Sequence, residues 1–171
     1  MIASVFVDAN VLVYALDANE KIKQPRAAQW IARLWREQAG RTSAQALSEF
    51  YVTVTRKLKP RLSSEDAWND VKLFLAWRPQ PIDEGVLQRA REVEQRYRLS
   101  WWDSMIVAAA QLQDCALLLT EDLHDGAIYG GVTVRSPFTL AVEASRPTYE
   151  VASSAQPHRP RGRPRKAALS L

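Results

Sequence analysis

Ala3-Ser4-Val5-Phe6-Val7 is a short run of β-branched and aromatic residues that breaks off at Asp8-Ala9-Asn10. An apolar run of this length, too short for a helix, reads as a buried strand with a polar C-terminal end. A second run has the same plan: Ala116-Leu117-Leu118-Leu119-Thr120 ends on Glu121-Asp122. Two such strands in a parallel sheet place their acids at one edge, where the loops beyond the strand ends face a common crevice. Val132-Thr133-Val134, ahead of Pro137, gives a third strand, and Thr42-Ser43-Ala44 leaves room for a minimal fourth.

Helical patterns fill the intervals. Pro25 to Gln38 puts Ala27, Ile31, Leu34 and Trp35 on one stripe, with Gly40 as the stop signal. Leu47, Phe50, Tyr51, Val54 and Leu58 recur at helical spacing until Pro60. Ser63-Ser64-Glu65-Asp66 opens a third helix, carrying Ala67, Val71, Phe74 and Leu75. An extended piece from Pro79 to Ile82 leads to a fourth helix, Asp83 to Tyr97, and Ser100 caps a fifth from Trp101 to Cys115. Strands alternating with helices long enough to be crossovers predict an α/β domain with a mostly parallel sheet covered on both faces.

The chain has 171 residues, enough for one domain with a buried core but not for two. Its single cysteine, Cys115, falls where the sequence reads as helix core, so disulfide stapling is excluded and a reducing, cytoplasmic setting is expected. No early stretch has the order of a signal peptide, and no apolar run reaches bilayer length. Basic residues number 23 and acidic residues 19, but the excess is uneven. Residues 146 to 171 hold Arg146, Arg159, Arg161, Arg163, Arg165 and Lys166 against Glu150 alone, which makes this end +5 and leaves the rest at −1. Attraction to a polyanion is concentrated at one end of the chain.

Asp8 and Asp122 each end a strand, where a lone acid ordinarily caps a helix or starts a turn. Glu49 and Asp103 are embedded among apolar residues, in Leu47-Ser48-Glu49-Phe50-Tyr51 and Trp101-Trp102-Asp103-Ser104-Met105-Ile106. Both also have a structural reading: Glu49 could lie on a solvated face or pair with Arg56, two turns on, and Ser100 with Asp103 has the spacing of a capping box. Two histidines with one cysteine disfavour a Zn²⁺ site. His124 reads as a loop residue and not a ligand. The six tryptophans read mostly as core, although Trp101 or Trp102, beside Asp103, could stack on an unpaired base.

Four segments resemble, in order and spacing, the acidic motifs of PIN domains, most closely those of VapC-type toxins. They are Val7-Asp8-Ala9-Asn10-Val11-Leu12, Leu47-Ser48-Glu49-Phe50, Leu99 to Ala110 around Asp103, and Leu119-Thr120-Glu121-Asp122-Leu123. The resemblance covers residues 1–142 and implies a three-layer α/β/α domain in which Asp8, Glu49, Asp103 and Asp122 converge as catalytic and metal-binding acids. Asn10 and Thr120 match its supporting polar positions. At the fourth acid, Glu121 and Asp125 are near neighbours and remain alternatives. The resemblance also implies a Mg²⁺- or Mn²⁺-dependent endoribonuclease of a type II toxin–antitoxin pair, with an RNA substrate, a cognate antitoxin and a homodimeric state.

Residues 143–171 fall outside that resemblance and, being Pro-, Ser-, Ala- and Arg-rich without periodicity, predict a disordered extension. Within 159–166, Arg159, Arg161, Gly162, Arg163, Pro164, Arg165 and Lys166 resemble an AT-hook, which implies A·T-rich DNA as a further partner. Two other functions suit the same residues: a DNA-associated or RNA-maturation nuclease directed by the tail, or a non-catalytic DNA-binding regulator. The presence of all four acids opposes the regulator.

Overall fold

A computed structural model describes residues 3–142; the AT-hook-like residues of the tail lie outside the described residues. Five strands form one sheet in the order β2-β1-β3-β5-β4. β1 (Ser4–Val7), β2 (Gly40–Arg41), β3 (Cys115–Leu119) and β5 (Val132–Arg135) are parallel, and β4 (Ile128–Tyr129) joins antiparallel at the edge. The strand order reverses between β1 and β3, because the chain leaves β1 for β2 on one side and leaves β3 for β5 on the other. In an open α/β sheet that reversal opens a crevice at the carboxyl ends of the two strands. Asp8 and Thr120 are the first residues beyond those ends.

The core forms because the central strands are apolar on both faces. Phe6, Val7, Leu118, Leu119, Val132 and Val134 are all buried. The helices α1 (Ala9–Tyr14), α2 (Lys23–Glu37), α3 (Ala44–Arg56) and α4 (Ser64–Phe74) pack on one another, and α5 (Glu84–Tyr97) pairs with α6 (Trp101–Leu112), which lies on β3 and β5. Ser43, Ser63, Asp83 and Ser100 cap α3, α4, α5 and α6 with side-chain oxygens that accept from a backbone N–H inside the first turn.

Several details differ from the sequence reading, each for a physical reason. α6 stops at Leu112, the chain turns at Asp114 with φ 51°, and Cys115 opens β3 instead of closing the helix. Asp tolerates the left-handed region, so no glycine marks the break. Burial pushes the Cys115 thiol up to about 12, which leaves it inert. Likewise, α2 ends at the left-handed Gln38, not at Gly40. Gly40 lies instead in β2, before the expected Thr42–Ala44 segment, and it is a glycine there because an added Cβ would run into the Trp77 ring. α1 and β4, of six and two residues, are too short to show a period. Nor are the tryptophans mostly core. Trp30 and Trp77 are buried, whereas Trp35, Trp68 and Trp102 are exposed.

Candidate active site

β1 delivers Asp8 to the crevice, and its side chain does two things there. Oδ1 accepts from the N–H of Ala9 at 2.7 Å, so the residue caps α1, and Oδ2 accepts from the Thr120 hydroxyl at 2.8 Å. The structural reading of a helix cap is therefore correct, and it does not exclude a second role. Asp8 is only 6% exposed, and burial is the main reason its carboxyl is pushed up to about 7. The hydrogen bonds from Thr120 and Ala9 work against that rise, and the charges of Asp122 and Glu49 add to it. A carboxyl in this state is poised between proton and cation.

Thr120 ties β3 to the same point. Its hydroxyl donates to Asp8 and accepts from Asn10 Nδ2 at 2.9 Å and from the backbone N–H of Asp122 at 3.1 Å. Asn10 Nδ2 also donates to Asp122 Oδ2 at 3.0 Å and lies 3.4 Å from Asp8 Oδ2. One amide nitrogen thus spans two strand-end acids and the threonine between them. The other end of the same side chain, Asn10 Oδ1, is buried and accepts no hydrogen bond from the described residues.

The other two acids arrive on helices. Glu49 projects from α3 and is exposed, off the apolar stripe as its spacing predicts. Its partner is not Arg56 but Gln45, one turn earlier, whose Nε2 donates to Glu49 Oε1 at 2.9 Å and to the Trp102 carbonyl at 3.3 Å. Gln45 is buried, and it joins the first turn of α3 to the first turn of α6. Sequence reasoning missed it, although a Gln four residues before a Glu is a known helical pair. Asp103 sits in that first turn of α6. Its carboxylate accepts from the Ser100 hydroxyl at 2.7 Å, and its N–H donates to the same hydroxyl at 3.1 Å, which is the serine half of a capping box with the return bond made to the side chain instead of the Ser100 N–H. Asp103 makes no hydrogen bond to Asp8, Glu49 or Asp122 among the described residues.

The two neighbours of Asp122 are engaged elsewhere. Glu121 is ion-paired with Lys23 at 3.0 Å. Asp125 accepts from the N–H of Ser136, from Thr139 and from Arg135, and these bonds hold its carboxyl below the usual range. His124 is exposed in the loop between them.

Among the described residues, no three His, Cys, Asp or Glu side chains stand close enough together to enclose a metal ion. Each acid instead carries its own neutral donor: Thr120 on Asp8, Asn10 on Asp122, Gln45 on Glu49 and Ser100 on Asp103. Three observations fit a hard divalent cation. The candidate ligand atoms are all oxygens, a buried carboxyl is unstable as a lone anion, and the amide oxygen of Asn10 accepts from none of the described residues.

Comparison with known proteins bears on the family and the fold. The PIN domain family profile matches residues 5–124. No curated protein is significantly similar in sequence. Among solved structures, one described as a toxin–antitoxin complex from Klebsiella pneumoniae superposes with a TM-score of 0.57 at 20% identity, over 78% of this chain and 98% of the other. Mycobacterium tuberculosis VapC20, described as a sarcin–ricin loop cleaving toxin, superposes with a TM-score of 0.50 at 19% identity, over 70% of this chain and 92% of its own. At such identities the likeness concerns the fold, and the profile match across most of the described residues decides the family. The chain belongs to the PIN-domain family.

Proposed function

We propose that this protein is a Mg²⁺- or Mn²⁺-dependent endoribonuclease, the toxin of a type II toxin–antitoxin pair, acting on single-stranded or looped RNA such as transfer or ribosomal RNA. The observation that carries the reading is the Asp8–Thr120–Asn10–Asp122 network at the strand-order reversal, with Glu49 near enough to raise the Asp8 pKa. The toxin assignment is supported by the likeness to the Klebsiella complex and to VapC20.

Asp8, Glu49, Asp103 and Asp122 would hold the cation, and Asn10 and Thr120 would orient the strand-borne pair. When bound, the cation supplies a nucleophile from water near neutral pH and offsets charge on the phosphate. Asn10 and Thr120 fix the carboxylates so that they need not reorganise. Trp102, 62% exposed beside Asp103, offers an aromatic face for a base next to the scissile phosphate. The hydrogen bond from Gln45 to its carbonyl ties that face to the Glu49 helix.

The tail is proposed as a DNA-contacting extension, on the strength of its sequence: prolines favour an extended chain, Gly162 admits close approach, and Arg161 and Arg163 suit the narrow minor groove of A·T-rich DNA.

One experiment tests the enzyme directly. Purified protein is incubated with total RNA and, separately, with an A·T-rich duplex, each with Mn²⁺, with Mg²⁺ and with excess EDTA, and new ends are sequenced. New RNA ends that need the cation and stop in EDTA are expected. Cleavage that persists in EDTA would point to other residues, and cleavage of the duplex alone would favour a DNA nuclease.

A further inference from the structure

Two consecutive acids leave β3, Glu121 and Asp122, and the structure treats them differently. Asn10 and Tyr14 lie one turn apart on α1, so they present to the same side of that helix. Asn10 Nδ2 donates to Asp122 Oδ2 at 3.0 Å. Lys23 Nζ, at the start of α2, lies 3.0 Å from each oxygen of Glu121 and donates to the Tyr14 hydroxyl at 3.3 Å. The ammonium also lies 4.6 Å from the centre of the Tyr14 ring and 5.3 Å from that of Phe138, and the two rings meet edge to face. The cation is thus fixed by a carboxylate, a hydroxyl and two aromatic faces.

Stability does not explain so much attention to one ion pair. The side chains of Lys23 and Glu121 are 32% and 27% exposed, and pairs in contact with water contribute about 0–1 kcal/mol. What distinguishes this pair is its place, with Glu121 one residue from Asp122. We propose that Lys23 is a positioning residue that withholds Glu121 from the acid site, so that only Asp122 of the two adjacent carboxylates serves there. The proposal rests on the four-carboxylate reading above.

The chemistry gives a reason for such sorting. A cation such as Mg²⁺ has about six coordination positions and must keep some of them for water and a phosphate oxygen. A fifth carboxylate at the same edge would compete for those positions and repel the substrate phosphate. With Glu121 bound to Lys23, that competitor is removed and its charge is neutralised. α1 makes the selection by placing an amide opposite Asp122 and an aromatic hydroxyl, backed by an ammonium, opposite Glu121.

Mn²⁺ titration calorimetry on the full chain, paired with steady-state cleavage of an RNA substrate, tests this in wild type and in the variants K23M, K23R, E121Q, K23M/E121Q and D8N. In K23M the freed Glu121 should tighten Mn²⁺ binding about three- to tenfold and lower kcat by a similar factor. K23R, which keeps the pair, should stay near wild type in both, and K23M/E121Q should return both toward wild type. E121Q alone, which leaves the Lys23 ammonium uncompensated, should weaken Mn²⁺ binding by no more than about fivefold. A loss of Mn²⁺ affinity in E121Q as large as that in D8N would make Glu121 a ligand and overturn the proposal, whether or not K23M folds. So would a K23M defect that the double variant fails to relieve, or K23M behaving as wild type. D8N binding Mn²⁺ as tightly as wild type would overturn the four-carboxylate reading itself, and this inference with it.

Discussion

Asp8 is buried at the end of a strand and bonded on both oxygens, whereas Glu49 is exposed on α3 and Asp103 stands in the first turn of α6, half in water. The strand-borne half of the proposed site therefore carries an energetic conflict at Asp8, and the helix-borne half is open to solvent. At Asp8, burial opposes ionisation more than the hydrogen bonds favour it. Glu49 and Asp103 reach solvent, and each accepts from one neutral donor. Loss of any of these acids should cost activity, but only at Asp8 should the loss of charge strengthen the fold.

The largest effect should come from neutralising either half. Asp8→Asn and Asp103→Asn should each lower RNA cleavage by at least about 100-fold in Mn²⁺. Chemical denaturation in metal-free buffer at pH 8 then separates them. Asp8→Asn should be more stable than wild type by a few kcal/mol, on the order of what a shift of this size implies. Asp103→Asn should be within about 1 kcal/mol of wild type, since it alters one exposed cap contact. Equal stability changes in the two variants would erase the distinction between the halves.

The same conflict should appear as a pH dependence. Asp8 has a folded pKa of about 7 against an ordinary value of 3.8, so between about pH 4 and pH 7 the unfolded chain releases this proton while the folded chain keeps it. The unfolded state then binds fewer protons, and stability should fall as pH rises through that window, by up to roughly 1.4 kcal/mol per pH unit. Below pH 4 both states are protonated and the contribution is present in full. Denaturation curves collected across the window in metal-free buffer, for wild type and Asp8→Asn, give the Asp8 share as their difference. A difference independent of pH would sink the assignment.

Thr120 moderates the conflict. Thr120→Val removes a hydroxyl that donates to Asp8 and accepts from Asn10, and should cost about 1–3 kcal/mol because these buried groups lose their partner. As that hydroxyl lowers the Asp8 pKa, its removal should also move the pH window upward. An unchanged midpoint would show that Thr120 does not set the ionisation of Asp8.

The smallest effect on catalysis should come from the end of the chain. Truncation after Ser145 should leave cation-dependent cleavage of a short RNA within about twofold of wild type, while affinity for an A·T-rich duplex falls steeply and the salt slope flattens. Equal affinity of the full chain for A·T-rich and G·C-rich duplexes at physiological salt would reject groove reading and leave a general polyanion tail.

What the sequence determined by itself is what repeats over short distances. Apolar runs closing on Asp8 and Asp122, helical stripes, and caps such as Ser63, Asp83 and Ser100 are set by neighbours within four residues, and periodicity and capping register there. The PIN resemblance extended that reach by matching four segments as an ordered set, and so anticipated the fold. Tertiary structure alone decided the rest. Asn10 meets Asp122 across 112 positions of chain, Lys23 meets Glu121 across 98, and Gln45 meets the Trp102 carbonyl across 57. No local period encodes such pairs. It is the strand order that brings Asp8 beside Thr120, and the placement of α1 and α2 around it that sends one of two adjacent carboxylates to Asn10 and the other to Lys23.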